Sequence, residues 1–575
     1  MKKALIISAI VLVVLFVLVA LLLKLQANFM GTGTVSIKKG SILVADLSKA
    51  YPERGGYSFE GFRFKRKGNF LSLVRAIERA GEDDDIIALV LKPTDISMNF
   101  AQIQELSEAI EKFKKSDKPV YCYLESAGMR SYMVASLTDT VSMTPSGNIM
   151  FLGMSIASMF FAGTADKLGI GFDVIQMGKY KGAAESFTER RFSGPLRESL
   201  TVLLDGIYGH WISHIAKNRE LTEEYVAELI EYGVFDAEDA MERGLVDTLE
   251  YPNEFHDRML SLVKGDDDRI IGIRTYTTDN RLDLGKKNIA LIYGIGSIHT
   301  GKSEPEPFGR QETIGSKTFT RAIEDAAEDD DIKAIVLRVD SPGGSALASD
   351  LIWNSVVEAK KEKPIIVSMG GTAASGGYYI SMAADSIFCD PATITGSIGV
   401  IFLKPNIGAL LDDIGVTVDT INRGALSDEL VIHKAMDPEG YDAFTRLIAG
   451  IYEDFTSKAA EGRKMELDSL LEIAQGRIWL GSDAVVIGLV DRTAGLAEAI
   501  EVAADMAEIE HDKIKIAVYP PEKSFFELAF EDLSAPGIIE QLPEPLQNLL
   551  APNLEAAQLY IEGEPLALMP FRFSW

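Results

Sequence analysis

The sequence predicts an α/β protein built from two similar domains in tandem behind one N-terminal membrane helix. Three observations carry that expectation: an apolar run at the start of the chain, an internal repeat, and short Val- and Ile-rich runs that alternate with longer stretches of helical period. A chain of 575 residues also exceeds what one hydrophobic core usually fills, so more than one domain is expected.

The apolar run comes first. Ala4 to Leu23 is 20 residues long, has Ser8 as its one polar member, and is framed by Lys2, Lys3 and Lys24. As a helix it would extend about 30 Å, one bilayer core. A cleaved leader would have a shorter apolar region and a small-x-small site, which Leu25-Gln-Ala-Asn28 does not supply, so residues 1–30 read as an uncleaved single-pass anchor. Lys2 and Lys3 on one side face Lys24, Lys38 and Lys39 on the other, and this balance does not set an orientation.

The repeat organises the remainder. Glu82 to Lys92 matches Glu328 to Arg338 at an offset of 246, differing only at Ile87, Leu89 and Lys92. Ile207-Tyr208 matches Ile451-Tyr452, and Ala240-x-x-x-Gly-Leu-Val-Asp247 matches Ala484-x-x-x-Gly-Leu-Val-Asp491, at an offset of 244. The expected domains are therefore 31–284 and 285–517, followed by an extension, 518–575, without a counterpart in the first half. The extension is assigned no role; its apolar end, Ala567 to Trp575, is expected to pack as a strand, with contact to a neighbouring subunit or the membrane as the alternatives.

In the first domain, strands are expected at Ile86–Leu91 and Val120–Leu124, with a helix from about Gln102 to Lys115 between them. In the second, Lys333–Val339 reads as a buried strand that Asp340-Ser-Pro-Gly-Gly344 breaks, and Ala346–Lys361 as the following helix. Pro364–Ser368 is the next strand, Gly370-Gly371 the next break, and Ser375–Ala384 the next helix.

A net charge of −28 repels phosphate backbones, so no nucleic-acid partner is expected. Two cysteines, Cys122 and Cys389, make neither a metal site nor a disulfide framework, and no HExxH pattern occurs, so neither a metal nor a cofactor is expected.

Two glycine-bearing turns can carry chemistry. Ser341-Pro-Gly-Gly-Ser345 lies between a strand and a helix, where bare backbone N–H groups suit an oxyanion but also suit a plain turn. Gly370-Gly-Thr-Ala-Ala-Ser-Gly-Gly-Tyr378 places Ser375 among small residues at a helix start. There the dipole and the N–H of Gly376 favour developing negative charge, though an N-cap serine would have the same sequence.

These two motifs, with Thr395-Gly-Ser-Ile-Gly399 and Gly178-Lys-Tyr-Lys-Gly182 in a duplicated chain, resemble the long form of the signal peptide peptidase A (protease IV) family. The resemblance covers residues 1 to about 515. It implies two Clp protease/crotonase-like domains and a serine protease in which Ser375 is the nucleophile, Lys181 the general base and Ser397 a helper bonded to the lysine amine. By the same resemblance, peptide substrates such as residual signal peptides are expected. So are a homo-oligomer, tetrameric in the long form, and a place in the inner (cytoplasmic) membrane with extracytoplasmic catalytic domains.

The repeat adds an independent argument. At an offset of 246, Ser375 falls on Met129, Gly343 and Gly344 on Ser97 and Met98, and Lys181 on Ser427, so each half lacks what the other keeps. One site divided between two copies would look like this. The oxyanion would be held by the N–H groups of Gly343 and Gly376. A lysine base must be neutral, which requires its pKa to fall from about 10.4 by desolvation, as burial between the halves would provide. Lys179 competes for the role and reads as a solvated neighbour. None of the six histidines lies in a glycine-rich turn, and His433, nearest in sequence to Ser375, reads as a bystander. Two other classes stay open: a crotonase-type acyl-thioester enzyme, using the same N–H pair on an enolate, and a non-catalytic membrane scaffold.

Overall fold

The structure is a computed structural model that describes residues 37–60, 63–277, 287–303, 312–521 and 566–568. The apolar run Ala4–Leu23 lies outside the described residues, as does most of 518–575. Among the described residues no helix is long and apolar enough to cross a membrane.

In chain order, the first half supplies strands β1 (Ser41–Asp46), β2 (Ile86–Lys92), β3 (Val120–Ala127), β4 (Thr140–Met150), β5 (Gly171–Met177), β6 (Val234–Asp236) and β7 (Ile270–Gly272). The second half supplies β8 (Ile289–Ile295), β9 (Ile298–His299), β10 (Ala334–Ser341), β11 (Gly343–Ser345), β12 (Ile365–Ala374), β13 (Ser386–Cys389), β14 (Ile394–Gly396), β15 (Val400–Asn406), β16 (Ile478–Leu480) and β17 (Ile516–Tyr519), and a last strand, β18, is Leu566–Leu568. The main helices are α1 (Phe70–Glu82), α2 (Phe100–Lys114), α3 (Met129–Ser136), α4 (Gly194–Arg219), α5 (Ala346–Ala359), α6 (Gly376–Tyr379), α7 (Pro438–Arg463), α8 (Leu467–Ile473) and α9 (Leu496–Met506).

Local chemistry explains the helix starts. Asn69 accepts from the N–H of Ser72 to begin α1, and Asn99 with Gln102 forms a reciprocal capping box on α2. Phe70, Leu73, Val74 and Ile77 then place one buried stripe of α1 on the core. Strands such as Ile289–Tyr293 are apolar at every position because helices cover both faces of a parallel sheet.

The duplication is visible in topology and in individual bonds. One sheet runs β7-β1-β2-β3-β4-β6, the other β16-β14-β12-β10-β8-β17 with β13 also against β12. Both are parallel except where β6 and β16 join antiparallel. The Tyr132 hydroxyl donates to the Leu245 carbonyl at 2.8 Å, and that of Tyr378 to the Leu489 carbonyl at 2.9 Å. Arg219 clamps Asp247 and Arg463 clamps Asp491, each at 2.7 Å. The tyrosine bonds tie the C-terminal part of each unit to the helix after its third core strand, and the arginine clamps tie it to the end of the long helix, α4 in one unit and α7 in the other.

A third sheet joins the halves. Its order is Ile314–Gly315, β9, β11, β18, β15, β5, so β15 of the second half pairs with β5 of the first. That pairing is antiparallel over seven residues, from Val400 opposite Met177 to Asn406 opposite Gly171. A second tie is polar: the buried Arg338 guanidinium on β10 bonds both carboxylate oxygens of Glu53 at 3.0 Å and Glu105 on α2 at 2.5 Å, while its other nitrogen donates to Ser368 and Met369 on β12. Burial works against its charge, but the carboxylates of Glu105 and Glu53 outweigh burial and hold Arg338 protonated.

Three sequence expectations differ from the structure. Strand β12 runs through Gly370-Gly371 without a break, changing partners there from β13 to β14. The segment Gly343–Ser345 is extended strand, not only a turn, because Gly344 lies against β9: a Cβ there would stand 2.0 Å from the Ile298 carbonyl oxygen. The helix after Ser375 is four residues, with hydrogen-bonded turns continuing to Ala384.

Candidate active site

The pairing of β5 with β15 sets the geometry. Met177 sits opposite Val400, and from that point the first half runs four residues on to Lys181 while the second runs three residues back to Ser397. Two segments far apart in sequence thus arrive at one place. A loop of the second half holds the lysine backbone there: the Tyr180 N–H donates to the Gln475 carbonyl at 2.9 Å, and the N–H of Gly476 donates to the Ile398 carbonyl at 2.7 Å. The N–H of Ser397 in turn donates to the Arg477 carbonyl at 2.7 Å. Gly476, at φ +73°, packs directly on Lys181; a Cβ there would lie 2.7 Å from Lys181 Cβ.

Ser375 arrives from the end of β12. Its backbone is at φ 57° and ψ −114°, a conformation that costs a non-glycine residue about 1–3 kcal/mol and persists only when surroundings impose it. The surroundings are its own N–H donating to the Gly396 carbonyl at 2.8 Å and its carbonyl accepting from the Tyr379 N–H at 2.8 Å. Its side chain makes no cap bond to α6, so the N-cap reading of this serine does not account for it.

Lys181 Nζ lies 2.6 Å from Ser375 Oγ, 2.9 Å from the Ser397 carbonyl oxygen and 3.1 Å from Ser397 Oγ. All three residues are fully buried, at 0 % exposure. Burial disfavours the charged amine, no carboxylate among the described residues compensates it, and its pKa is held well below the ordinary lysine value. The amine therefore meets two hydroxyls and a carbonyl in a fully buried setting. Such an arrangement can accept a proton from a serine hydroxyl.

The other expected residues lie around this point. Gly376 is the first residue of α6, where an N–H has no acceptor within the helix. The Gly343 N–H is directed to Ser341 Oγ at 3.1 Å. Gly343 and Gly376 are both buried. Lys179 is elsewhere: its amine lies over the Tyr180 ring, 4.7 Å from the centroid. Four of the six histidines bond to other groups, His210 to Ser482, His214 to the Met133 carbonyl, His299 to Thr313 and His511 to Asp505, and His256 lies 3.5 Å from Asp267. Cys122 and Cys389 are buried free thiols. No group of metal-ligating side chains occurs among the described residues.

Sequence reasoning missed the Gln475–Arg477 loop, which braces both Lys181 and Ser397. Its only sequence mark is a glycine just beyond α8, which reads as an ordinary helix stop. It also missed that the carboxyls of Asp340 and Asp390 are buried. Asp340, whose Oδ1 accepts from the Thr372 N–H at 3.0 Å, is pushed by burial up to about 6. Burial, with the Glu105 carboxylate nearby, holds Asp390 well above the usual carboxylate range.

Comparison with known proteins agrees with this architecture. The family model described as peptidase family S49 matches twice, at residues 112–265 and 358–510, and that of Clp protease matches residues 316–393. The chain is 32% identical over 490 residues to "Serine protease SPPA, chloroplastic" of Arabidopsis thaliana, covering 83% of this chain and 71% of that one. It is 29% identical over 518 residues to "Protease 4" of Salmonella typhi, covering 87% and 82%. It is also 33% identical over 226 residues to "Putative signal peptide peptidase SppA" of Enterococcus faecium, covering 39% and 65%. Two matched copies lie on two sheets of the same topology, and the chain accordingly belongs to peptidase family S49, as a serine protease made of tandem Clp-protease-like domains.

Proposed function

We propose that the protein is a membrane-anchored endopeptidase with a Ser375/Lys181 dyad, acting on apolar peptides such as signal peptides left after release from secretory precursors. The observation that carries the dyad is the 2.6 Å approach of the Lys181 amine to Ser375 Oγ in a fully buried pocket. As a neutral amine, Lys181 donates its two N–H groups to the carbonyl and hydroxyl of Ser397 and presents its lone pair to the Ser375 hydroxyl.

The reaction is acyl transfer. Lys181 takes the Ser375 proton as Oγ attacks the peptide carbonyl. The N–H groups of Gly376 and Gly343 hold the oxyanion, the latter by turning from Ser341 Oγ. The lysine ammonium then gives its proton to the leaving amine, and water, deprotonated by the same amine, hydrolyses the acyl-enzyme. Ser397 positions the lysine throughout.

The apolar run Ala4–Leu23 supports a single-pass anchor in the cytoplasmic membrane, and the Enterococcus relative's name supports the substrate class. Extracytoplasmic catalytic domains and the tetramer follow from the family resemblance. Exposed apolar side chains in the segment after β15, Ile414, Val418, Ile421 and Leu430, supply surface for assembly.

The test is hydrolysis of an apolar fluorogenic peptide by the wild type and by Ser375→Ala and Lys181→Ala variants of unchanged thermal stability. Losses of at least about 10³-fold in both are expected, because members of one catalytic unit act together. Near-normal turnover in either variant removes the dyad.

A further inference from the structure

We propose that Arg477 is a positioning residue for the dyad: its guanidinium, laid over the rings of Tyr180 and Trp479, latches the turn that carries Lys181 to the turn that carries Ser397. This rests on Lys181 being the base for Ser375.

The loop that braces the amine is strained. Gln475 and Gly476 are consecutive left-handed residues, at φ 55° and 73°, and a non-glycine residue keeps such a backbone only where its surroundings impose it. Yet the site depends on this loop in three places: the Gln475 carbonyl accepts the Tyr180 N–H, Gly476 packs on Lys181, and the Arg477 carbonyl accepts the Ser397 N–H. Something has to hold it in that shape.

The Arg477 side chain is placed to do so. Its Cζ lies 5.2 Å from the centroid of the Tyr180 ring and 4.7 Å from that of Trp479, so one cation is attracted by two rings, one in each half of the chain. Its Nη1 donates to Glu198 Oε1 on α4 at 3.3 Å, and the Tyr180 hydroxyl donates to the same oxygen at 3.2 Å. A planar guanidinium can stack on a ring while its edge serves a carboxylate. Trp479 is fixed in turn by its Nε1, which donates to the Ile473 carbonyl at 3.0 Å. Tyr180 and Glu198 of the first half are thereby tied to Arg477 and Trp479 of the second, one residue away from Lys181.

The two units differ at this position. Strands β6 and β16 are counterparts: Val234 pairs with Met150 as Ile478 pairs with Gly396, and Phe235 stands where Trp479 does. The two residues before the strand are Tyr232-Gly233 in the first unit and Gly476-Arg477 in the second. The copy without a nucleophile keeps an aromatic ring and lacks both the cation and the close-packing glycine. A latch is of use only where there is an amine to place.

The experiment uses the full chain and an apolar fluorogenic peptide. The Arg477 side chain is 21 % exposed, so its replacement leaves the core intact. Arg477→Met, which keeps the stem and removes the cation, should lower kcat about tenfold with KM within about twofold. Arg477→Lys, which returns the charge without the planar fork, should lose only about threefold. In a Lys181→Ala background Arg477→Met should cost less than about twofold, because the latch acts through the amine. Wild-type kcat in Arg477→Met, an equal loss in Arg477→Lys, or the same loss with and without Lys181 overturns the proposal. Amide hydrogen exchange reads the latch without turnover: residues 180, 397 and 476 should exchange faster in Arg477→Met, and unchanged protection there overturns it. Full activity of Lys181→Ala removes the base assignment and the positioning role with it, whereas wild-type kcat in Arg477→Met beside an inactive Lys181→Ala removes the latch alone.

Discussion

Replacing Gly476 by alanine tests how tightly the second half positions the amine of the first. The added Cβ would stand 2.7 Å from both Cβ and N of Lys181 and 2.8 Å from its Cα. Ordinary carbon contacts are about 3.5–4.0 Å, so one backbone must retreat by about 1 Å. A displacement of that size at a catalytic group costs about 10²-fold in rate, or about 2.7 kcal/mol of barrier. The left-handed backbone, φ +73°, adds about 1–2 kcal/mol of instability for any residue with a Cβ. Gly488→Ala separates the two effects, because Gly488 has φ +81° but its Cβ would meet only Met465 Sδ at 3.9 Å. Both variants should lose the stability of the left-handed backbone in thermal unfolding, and Gly476→Ala about 1–3 kcal/mol more for its overlap with Lys181. Only Gly476→Ala should lose about 10²-fold in kcat/KM on an apolar peptide. Equal activities in the two variants, or Gly476→Ala within about threefold of wild type, would refute the reasoning.

Two further outcomes follow from the same contacts. Arg338→Ala leaves Glu53 and Glu105 buried without their cation and should lower stability by about 3–5 kcal/mol in urea unfolding, whereas a loss under about 1 kcal/mol would show the tie between the halves to be weak. Ser397→Ala removes one of two acceptors from the Lys181 amine but leaves the carbonyl in place. It should therefore lower kcat about tenfold with little change in KM, the equivalent of one lost hydrogen bond of about 1.4 kcal/mol; an unchanged kcat would deny Ser397 its positioning role.

Much of this architecture is legible in the sequence because duplication writes the same chemistry twice. The Asp-Asp-Asp-Ile repeat announces β2 and β10, and the shared Gly-Leu-Val-Asp announces the aspartates that Arg219 and Arg463 clamp. The small residues around Ser375 are readable because a backbone forced to φ 57° tolerates little bulk beside it. The pairing of β5 with β15 is not readable: Met177 and Val400 are far apart in sequence, and an apolar run says that a strand is buried without saying against what. Gly370-Gly371 mislead for a related reason. Glycines end a strand in isolation, but here they let one strand exchange β13 for β14 as its neighbour. The bracing by Gln475–Arg477 is carried by backbone carbonyls, which leave no signature in side-chain identity.

The account stands on Lys181 being uncharged and acting as the base for Ser375. A serine-reactive fluorophosphonate, with the labelled residue mapped by mass spectrometry and the rate followed against pH, measures this directly. Burial lowers the amine's pKa, so the reactive neutral form is retained down to a pH well below 10.5 and lost as pH falls through the lowered value. The expected result is one label, on Ser375, whose rate rises with pH through a midpoint well below 10.5 and collapses in Lys181→Ala. Label on another residue, or the same rate and pH dependence without the lysine, would contradict it.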